Sequence, residues 1–427
     1  MLFPVTYRVN AAGHMDVGGC DLVELAREHG TPLYVYDEAT VRQRASEYIA
    51  AMGSAGQVLY SAKAFASPQF LRVVAEEGLG LDVVSAGELY VALKSGFPQD
   101  RIHFLGNNKS RQDLEAAYHA GATIVIDGEY EFELLRDVVP EGKRTPVMLR
   151  LSPGVKPDTH DHISTGQLDS KFGFSIESGA ARRAVEQALQ HPRLDLVGLH
   201  SHIGSQILGL GAYEHAMSMM LDLLVQLHDE LNFEPRKLGA GGGLGIAYTR
   251  NDDPPTPRHF VQVVHTALVA GCSQRGLKVP QLVVEPGRSI AGPAGMALYT
   301  VGSIKDIPGV RRYVAVDGGM GDNIRPKLYG ARYEAYLASD PDRTPDGKVT
   351  IAGKYCESTD ILITDIEMPP LKPGDIIALP ATGAYCLAMA SNYNGMPRPK
   401  VLMLKDGEAR VMRRRETLED LVAAEVF

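Results

Sequence analysis

Between residues 56 and 287, the sequence alternates short β-favouring runs with longer helical patterns. The strand candidates in this stretch are 58–60, 80–84, 102–105, 123–126, 147–151, 196–200, 238–241 and 282–285. The helical patterns between them are 67–77, 86–95, 111–120, 130–138, 178–190, 211–231 and 258–275. Eight strands separated by helices predict a parallel (β/α)8 TIM-like barrel. An open doubly wound sheet is the alternative, with its ligand at one topological switch point.

The residues at the ends of these strands favour the barrel. Nearly every candidate strand ends in residue types suited to chemistry or to anion binding, although the fourth, near Asp127-Gly128, shows little. These strand ends are Lys63, Asp82, Gly106-Asn107-Asn108-Lys109, His200-Ser201-His202-Ile203-Gly204-Ser205, Gly241-Gly242-Gly243 and Glu285-Pro286-Gly287-Arg288. In a barrel all of these ends meet on one face, where the active site lies. An open sheet would use only a few of them.

After about residue 290 the pattern changes to short strands separated by Pro/Gly turns. These strand candidates are 297–304, 312–316, 349–352, 361–364, 375–379 and 400–404, and a closing helix is expected at 417–425. They predict an antiparallel β-domain. Because 427 residues exceed one ordinary hydrophobic core, we expect two domains. The predicted fold class is α/β plus β, with a barrel over 33–289 and a second antiparallel β-domain formed by 1–32 and 290–427.

Composition and cysteine spacing narrow the class of protein. The net charge of −9 argues against non-specific nucleic-acid binding. No apolar run is long enough to span a bilayer, and the N-terminus lacks the layout of a signal peptide. Cys20, Cys272, Cys356 and Cys386 lie far apart without a CxxC pair, which argues against a disulfide framework or a zinc ribbon. We therefore expect a cytoplasmic protein with no membrane, nucleic-acid or metal partner.

Three of the strand ends together match the needs of pyridoxal 5′-phosphate. A lysine at the end of a buried strand is desolvated, which lowers its pKa and makes its amine available to the cofactor aldehyde. The glycine run at 241–243 leaves backbone N–H groups free to face a phosphate. Glu285 can sit against the pyridine nitrogen, and His202 can stack on the ring. The alternatives are a surface Lys63, a tight strand-to-helix turn, a core His202, and a Glu285 paired with Arg288.

These motifs resemble a known family, the barrel-type (fold type III) pyridoxal-phosphate decarboxylases of basic amino acids. Within that family, the chain is most similar to the diaminopimelate decarboxylase branch, and the resemblance covers almost the whole chain. The further motifs that carry the narrower match are Gly106-Asn107-Asn108-Lys109, Asp169-Ser170-Lys171-Phe172-Gly173, Asp317-Gly318-Gly319-Met320, Arg325-Pro326-Lys327-Leu328-Tyr329, Cys356-Glu357-Ser358 and Gly383-Ala384-Tyr385. The resemblance implies an alanine-racemase-like C-terminal domain. The sequence departs from the family pattern at His160-Asp161-His162-Ile163, in a loop that is a candidate cover for the site.

The resemblance also implies a role for individual residues. Lys63 would be the Schiff-base lysine, His202 would stack on the ring, Asp82 would lie close to the cofactor, and Glu285 would pair with the pyridinium nitrogen. The residues implied at the phosphate end and elsewhere around the cofactor are Ser205, Gly241, Gly242, Gly243, Pro286, Gly287, Arg288 and Tyr385. The residues implied to hold the substrate are Arg288, Arg325, Tyr329, Glu357 and Tyr385. Cys356 would be the proton donor, and it would enter with Glu357 from the second subunit of a homodimer with shared sites.

The implied reaction is decarboxylation of meso-2,6-diaminopimelate to L-lysine and CO2, the last step of lysine biosynthesis. The distal end of this substrate needs a carboxylate clamp and an ammonium acceptor, and Arg288 with Arg325 suits the first while Glu357 suits the second. One alternative is a related decarboxylase of ornithine, arginine or a carboxylated polyamine. An amino-acid racemase would favour arginine over Glu285 at the pyridine nitrogen. A non-catalytic homologue should have lost Lys63 or Cys356.

Overall fold

The computed structural model describes residues 1–155 and 170–427. The chain divides into two compact units. The barrel unit comprises 44–245 and 254–289, and the β-unit comprises 1–43, 246–253 and 290–427. Among the described residues, no helix combines the length and apolar character that crossing a membrane requires.

The barrel unit contains a closed ring of parallel strands, as the sequence predicted. Each strand pairs with its neighbours in chain order, and Thr145–Ser152 closes the ring by pairing with both Thr123–Ile126 and Leu194–Ser201. The strands of the ring are Gly56–Ser61, Gly80–Val83, Ile102–Phe104, Thr123–Ile126, Thr145–Ser152, Leu194–Ser201, Lys237–Gly241 and Gln281–Val284. A short additional strand, Phe174–Ser175, pairs with Thr145–Ser152. Parallel pairing places every C-terminal strand end on one rim.

Helices lie between the described strands of the barrel at the predicted places, with ends shifted by a few residues. Their bounds are Pro68–Glu76, Ala86–Ser95, Arg111–His119, Tyr130–Val138, Ala180–Gln190, Gly211–Leu231 and Pro257–Arg275. Several begin at a serine or threonine that caps free backbone N–H groups. Ser67, Ser85, Ser110 and Thr256 each accept a hydrogen bond from the residue three positions later. These caps fix where each helix starts after the rim of the barrel.

The β-unit is built on a mostly antiparallel sheet. Its strands, in spatial order, are Ile361–Met368, Gly347–Ala352, Arg311–Val316, Gly295–Ile307, Leu33–Asp37, Lys400–Lys405 and Glu408–Arg413. Ile376–Leu379 and Tyr336–Leu337 extend this sheet, while Arg8–Val9, Met15–Val17 and Cys20–Asp21 form a separate small sheet. The helices of this unit include Leu22–His29, Arg325–Tyr329 and Leu418–Leu421, and Glu38–Met52 and Arg288–Ala291 cross the unit boundaries.

The β-unit differs from the sequence prediction in four details. Leu33–Asp37 pairs with Gly295–Ile307 and Lys400–Lys405, so the strand belongs to this unit and the boundary lies after residue 43 rather than at residue 33. Two pairings are parallel, because Leu33–Asp37 and Lys400–Lys405 run in the same direction and so do two strands of the C-terminal half. Glu408–Arg413 is an additional strand, which was not predicted because its charged residues obscure the alternation of apolar and polar residues. The closing helix is shorter than expected.

Candidate active site

Lys63 stands on the C-terminal rim of the barrel. The strand Gly56–Ser61 ends directly before the 3-10 turn Ala62–Ala64, which carries the lysine. The Lys63 side chain is exposed, so the predicted desolvation on most sides is wrong. Because Lys63 sits in the turn beyond the strand, it projects past the packed layer. Its positive charge still acts on Asp82, Glu285 and His202, which places it among the predicted site residues.

Asp82 is a buried carboxylate on the neighbouring strand. Its side chain accepts a hydrogen bond from Ser61 Oγ, while Oδ1 has no hydrogen-bond partner among the described residues. Burial, followed by the negative charge of Glu285, raises the pKa of Asp82 to about 6, although Lys63 acts in the opposite direction. An unsatisfied buried oxygen beside a lysine is a feature that a ligand with a donor or a positive charge would complete.

Glu88 is a site residue that the sequence reasoning did not identify. It lies in the first turn of the helix Ala86–Ser95, and its Oε2 accepts a hydrogen bond from the N–H of Val84 at 2.8 Å. Burial raises the pKa of Glu88 to about 7, the charge of Asp82 adds to that increase, and Lys63 opposes it. The pattern Ser85-Ala86-Gly87-Glu88 was readable as a capping box. Only the fold brings that carboxylate within reach of the Lys63 and Asp82 charges.

Glu285 follows the last strand of the barrel and is buried. Its Oε2 lies 3.0 Å from Nε2 of His200, which projects from the strand Leu194–Ser201. Burial alone would raise the pKa of Glu285, but His200 and then Lys63 lower it below its usual value. Glu285 is therefore held as a carboxylate, as an acid facing a pyridinium nitrogen must be. The alternative in which Glu285 pairs with Arg288 is wrong, because the side chain that its carboxylate contacts is His200.

Arg150 is a second residue that the sequence did not reveal. It is buried on the strand Thr145–Ser152, and its Nη1 lies 3.3 Å from Oδ2 of Asp127. Its guanidinium also lies 4.2 Å from the centroid of the Phe172 ring. Arg150 acts electrostatically on His202, and the charges of Glu285 and Asp82 act on Arg150. It therefore adds a buried positive charge to a site that holds two carboxylates.

The glycine run forms a tight turn at the end of the strand Lys237–Gly241. Gly241 and Gly243 have φ values of +70° and +97°, which side chains rarely adopt. A Cβ atom at Gly242 would overlap the Glu285 carbonyl oxygen, and one at Gly243 would overlap that of Gly204. The turn therefore requires glycine, and of its three residues only Gly243 is not fully buried. The prediction that its N–H groups are free is wrong for Gly242, whose N–H donates to His202.

His202, Ser205, Pro286, Gly287 and Arg288 lie around this turn. Nδ1 of His202 accepts a hydrogen bond from the N–H of Gly242 at 3.3 Å. Arg288 donates from Nη2 to Ser205 Oγ at 2.9 Å. The carbonyl of Pro286 accepts from the N–H of Ser61, and a Cβ at Gly287 would lie 2.9 Å from that of Ser61. The predicted cofactor residues of the barrel unit thus belong to one cluster, and Tyr385 lies in the β-unit.

The motif Gly106-Asn107-Asn108-Lys109 plays a structural part in the barrel. Lys109 is buried and donates from Nζ to Glu131 Oε2 and to the Gly106 carbonyl, each at 2.7 Å. This ion pair ties the ends of two neighbouring strands. Two other sequence features, Asp169 and His160-Asp161-His162-Ile163, lie outside the described residues.

The β-unit contains the other predicted residues. Arg325 is buried at the start of the helix Arg325–Tyr329, where it donates to Tyr333 and lies 4.8 Å from the centroid of the Tyr248 ring. Its Nε has no hydrogen-bond partner among the described residues. Tyr329 and Tyr385 are half-buried, and Tyr385 has a positive φ of 63°. A buried guanidinium with an unused donor is suited to a carboxylate.

Cys356 and Glu357 lie in a loop of the β-unit. Cys356 is exposed and is therefore not a buried structural cysteine. The N–H of Cys356 donates to Asn394 Oδ1 at 2.8 Å. Glu357 Oε1 accepts from the N–H of Thr359 at 3.3 Å. Loop hydrogen bonds therefore hold the backbone and leave the thiol accessible.

The rim of the barrel fits pyridoxal phosphate on its own chemistry. It combines an exposed lysine, a buried carboxylate oxygen without a described partner, a carboxylate kept ionised by a histidine, and a turn that only glycine can form. These features correspond to an aldehyde, a protonated ring nitrogen and a phosphate.

Comparison with known proteins agrees with this chemistry. The family model described as "Pyridoxal-dependent decarboxylase, pyridoxal binding domain" matches residues 38–292. The chain is 49% identical to diaminopimelate decarboxylase of Bacillus subtilis (strain 168), over 98% of this chain and 96% of the relative. The crystal structure of diaminopimelate decarboxylase from M. jannaschii in complex with L-lysine has a TM-score of 0.92 at 34% identity and covers 100% of this chain and 99% of its own. The L-lysine complex from Helicobacter pylori has a TM-score of 0.85 at 32% identity, covering 94% and 98%. The resemblance predicted from sequence is confirmed, and the chain belongs to the pyridoxal-dependent decarboxylases, in the branch of the diaminopimelate decarboxylases.

Proposed function

We propose that this protein decarboxylates meso-2,6-diaminopimelate to L-lysine and CO2 with pyridoxal phosphate as its cofactor. The observation that carries the proposal is the convergence on one barrel rim of Lys63 with two buried carboxylates, Asp82 and Glu285. The names of the relatives support the substrate, since the Bacillus subtilis protein is a diaminopimelate decarboxylase. The L-lysine in the M. jannaschii complex is the product that this reaction would release.

Different residues of the barrel would bind different parts of the cofactor. Lys63 would bond to its aldehyde carbon, and the glycine turn with Ser205 and Gly287 would bind its phosphate. Glu285, kept ionised by His200, would hold a proton on the ring nitrogen, and His202 would cover one ring face. When bound, pyridoxal phosphate accepts the electron pair released as the bond between Cα and the carboxylate breaks. Asp82 would balance the charge of Lys63, and Arg150 would balance the charges of Glu285 and Asp82.

The substrate selectivity would come from residues that accept the second amino-acid end. Arg325 offers a planar, permanently charged guanidinium, and Tyr248 and Tyr333 flank it. Arg288, Tyr329 and Tyr385 complete the proposed set of substrate contacts. A decarboxylase of ornithine or arginine has no distal carboxylate to bind and therefore no need for this guanidinium. The buried Arg325 favours a dicarboxylate substrate over those alternatives.

The proton that replaces CO2 would come from Cys356. We propose that Cys356 and Glu357 of one subunit complete the site of the other in a homodimer. The exposed Cys356 thiol supports this role because a proton donor must be accessible. Glu357 would bind the distal ammonium. A cytoplasmic location is proposed with it, since all four cysteines lie among the described residues and none forms a disulfide.

The decisive experiment is to assay CO2 and lysine after mixing the purified protein with pyridoxal phosphate and meso-diaminopimelate. We expect both products in equal amounts, and slower or no CO2 release from ornithine and arginine. Lys63→Ala should abolish both the reaction and the yellow absorbance of the bound cofactor, whereas Lys278→Ala, an exposed position before the last barrel strand, should leave both unchanged. No CO2 from meso-diaminopimelate, with release from ornithine, would favour the related decarboxylases instead.

A further inference from the structure

Gly242, in the middle of the glycine turn, is held on both sides by side chains. Its carbonyl oxygen, which belongs to the peptide group shared with Gly243, accepts a hydrogen bond from the hydroxyl of Tyr213 at 2.9 Å. Its N–H, which belongs to the peptide group shared with Gly241, donates to Nδ1 of His202 at 3.3 Å. Tyr213 comes from the helix Gly211–Leu231, and His202 follows the strand Leu194–Ser201. Each of the two peptide groups that meet at the Gly242 Cα is therefore held by one side chain.

Tyr213 is built into the wall of the barrel as a permanent donor. Its side chain is buried, and its ring packs edge-on against Phe260 with ring centroids 4.9 Å apart. Burial, followed by the nearby Tyr48, holds the pKa of Tyr213 well above its usual value. The hydroxyl consequently keeps its proton at neutral pH and acts as a donor. A Cβ at Gly243 would lie 3.0 Å from the same hydroxyl, so the turn closes directly over it.

His202 is held in one tautomer by the Gly242 N–H. Because Nδ1 accepts from this N–H, the ring proton lies on Nε2. Burial, and then the positive charges of Lys63 and Arg150, hold the pKa of His202 well below its usual value. The imidazole is therefore neutral, and its ring plane depends on where the Gly242 N–H points. Any shift of the Gly242 backbone would disturb both the turn and this ring.

We propose that Tyr213 is a positioning residue that fixes the Gly242 backbone and thereby couples the phosphate-binding turn to the ring-stacking His202. The inference rests on the proposed function only in taking pyridoxal phosphate as the ligand of this rim. Tyr213 touches neither the cofactor nor the substrate in this role. It holds the carbonyl of the peptide group between Gly242 and Gly243, which also carries the Gly243 N–H of the turn. The peptide group before it carries the N–H that donates to His202, so the two hydrogen bonds are linked through the Gly242 Cα.

The test compares Tyr213→Phe with Tyr48→Phe. Both tyrosines are fully buried beside Phe260, but Tyr48 bonds to Ser289 Oγ at 2.7 Å instead of to the glycine turn. Each variant loses one hydroxyl and one buried hydrogen bond, so both should lower the melting temperature of the cofactor-free protein by a similar amount. Only Tyr213→Phe should weaken pyridoxal phosphate binding, by about fivefold, which corresponds to about 1 kcal/mol. The readout is an equilibrium titration of the cofactor absorbance.

A double-mutant cycle tests the coupling itself. His202→Phe retains an aromatic face but cannot accept from the Gly242 N–H. In that background Tyr213→Phe should weaken cofactor binding by less than about twofold, because the shared link is already broken. Additive losses, or equal cofactor affinities for Tyr213→Phe and Tyr48→Phe, would overturn the inference. So would a Tyr213→Phe protein that fails to fold while Tyr48→Phe folds, since Tyr213 would then be structural.

The same titration separates this inference from the proposed function. If the unmodified protein does not bind pyridoxal phosphate, the proposed function fails. If the unmodified protein binds it and Tyr213→Phe binds it equally well, only the role of Tyr213 fails.

Discussion

Replacing Glu88 with glutamine should stabilise the protein progressively as the pH rises. Glutamine preserves the side-chain shape and the carbonyl oxygen that accepts from the Val84 N–H. It removes a negative charge that burial and the neighbouring Asp82 both disfavour. The folded state holds the Glu88 proton more tightly than the unfolded chain does. Its contribution to stability therefore falls as the pH rises through the window between the unfolded and folded pKa values.

The size of the effect follows from the pKa of Glu88, which lies at about 7 against a usual value of 4.5. A tenfold difference in proton affinity corresponds to about 1.4 kcal/mol. Relative to a side chain that does not titrate, Glu88 should therefore lower the free energy of unfolding by about 3 kcal/mol at pH 8, where it is ionised in both states, and by about 1 kcal/mol at pH 5, where only the unfolded chain ionises it. The advantage of Glu88→Gln over the unmodified protein should grow by about 2 kcal/mol between these pH values.

The assay is urea unfolding of the cofactor-free protein at pH 5, 6.5 and 8, and the quantity compared is the difference in the free energy of unfolding between variant and parent. Glu133→Gln, which removes an exposed carboxylate on the helix Tyr130–Val138, is the control and should change the free energy of unfolding by less than about 0.5 kcal/mol. A Glu88→Gln advantage that stays constant or shrinks toward pH 8 would refute the assignment of a raised pKa to this carboxylate.

Three further predictions concern stability, specificity and assembly. Lys109→Met should lower the free energy of unfolding by about 3–5 kcal/mol, because it leaves the buried Glu131 unpaired. Adding Glu131→Leu should recover most of this loss in urea unfolding, and an unchanged loss in the double variant would contradict the prediction. Arg325→Lys should raise KM for meso-diaminopimelate by about 10- to 100-fold, because an ammonium cannot replace two-point binding of a carboxylate; an unchanged KM would remove Arg325 from the substrate site. Lys63→Ala and Cys356→Ala subunits, each inactive alone, should regain about a quarter of the parental activity when they are mixed, because half of the dimers are then mixed and each has one intact shared site. No recovery after subunit exchange would mean that Lys63 and Cys356 of one site belong to one subunit.

Sequence reasoning identified candidate residues at the ends of strands, but it did not identify residues inside a strand or a helix, such as Arg150 and Glu88. The rim position of Lys63, Asp82, Glu285 and the glycine run could be predicted because each lies at or directly after the end of a recognisable strand. Arg150 could not, since it lies within a strand pattern whose inward face only closure of the ring defines. The predicted burial of Lys63 was wrong for a related reason. Whether a residue just past a strand is covered depends on the turn that follows and on the elements around it.

The sequence by itself determined the alternation of strands and helices, the barrel class and the glycine turn, because these depend on local backbone preferences and on residue periodicity. The tertiary structure alone decided which groups interact. It brought Glu285 into contact with His200 rather than with Arg288, and it placed the Tyr213 hydroxyl within hydrogen-bond distance of the Gly242 carbonyl. It also placed Leu33–Asp37 in the β-unit. These outcomes depend on burial and on partners distant in the chain, and the pKa of a carboxylate or the direction of a hydrogen bond has no value until folding supplies both.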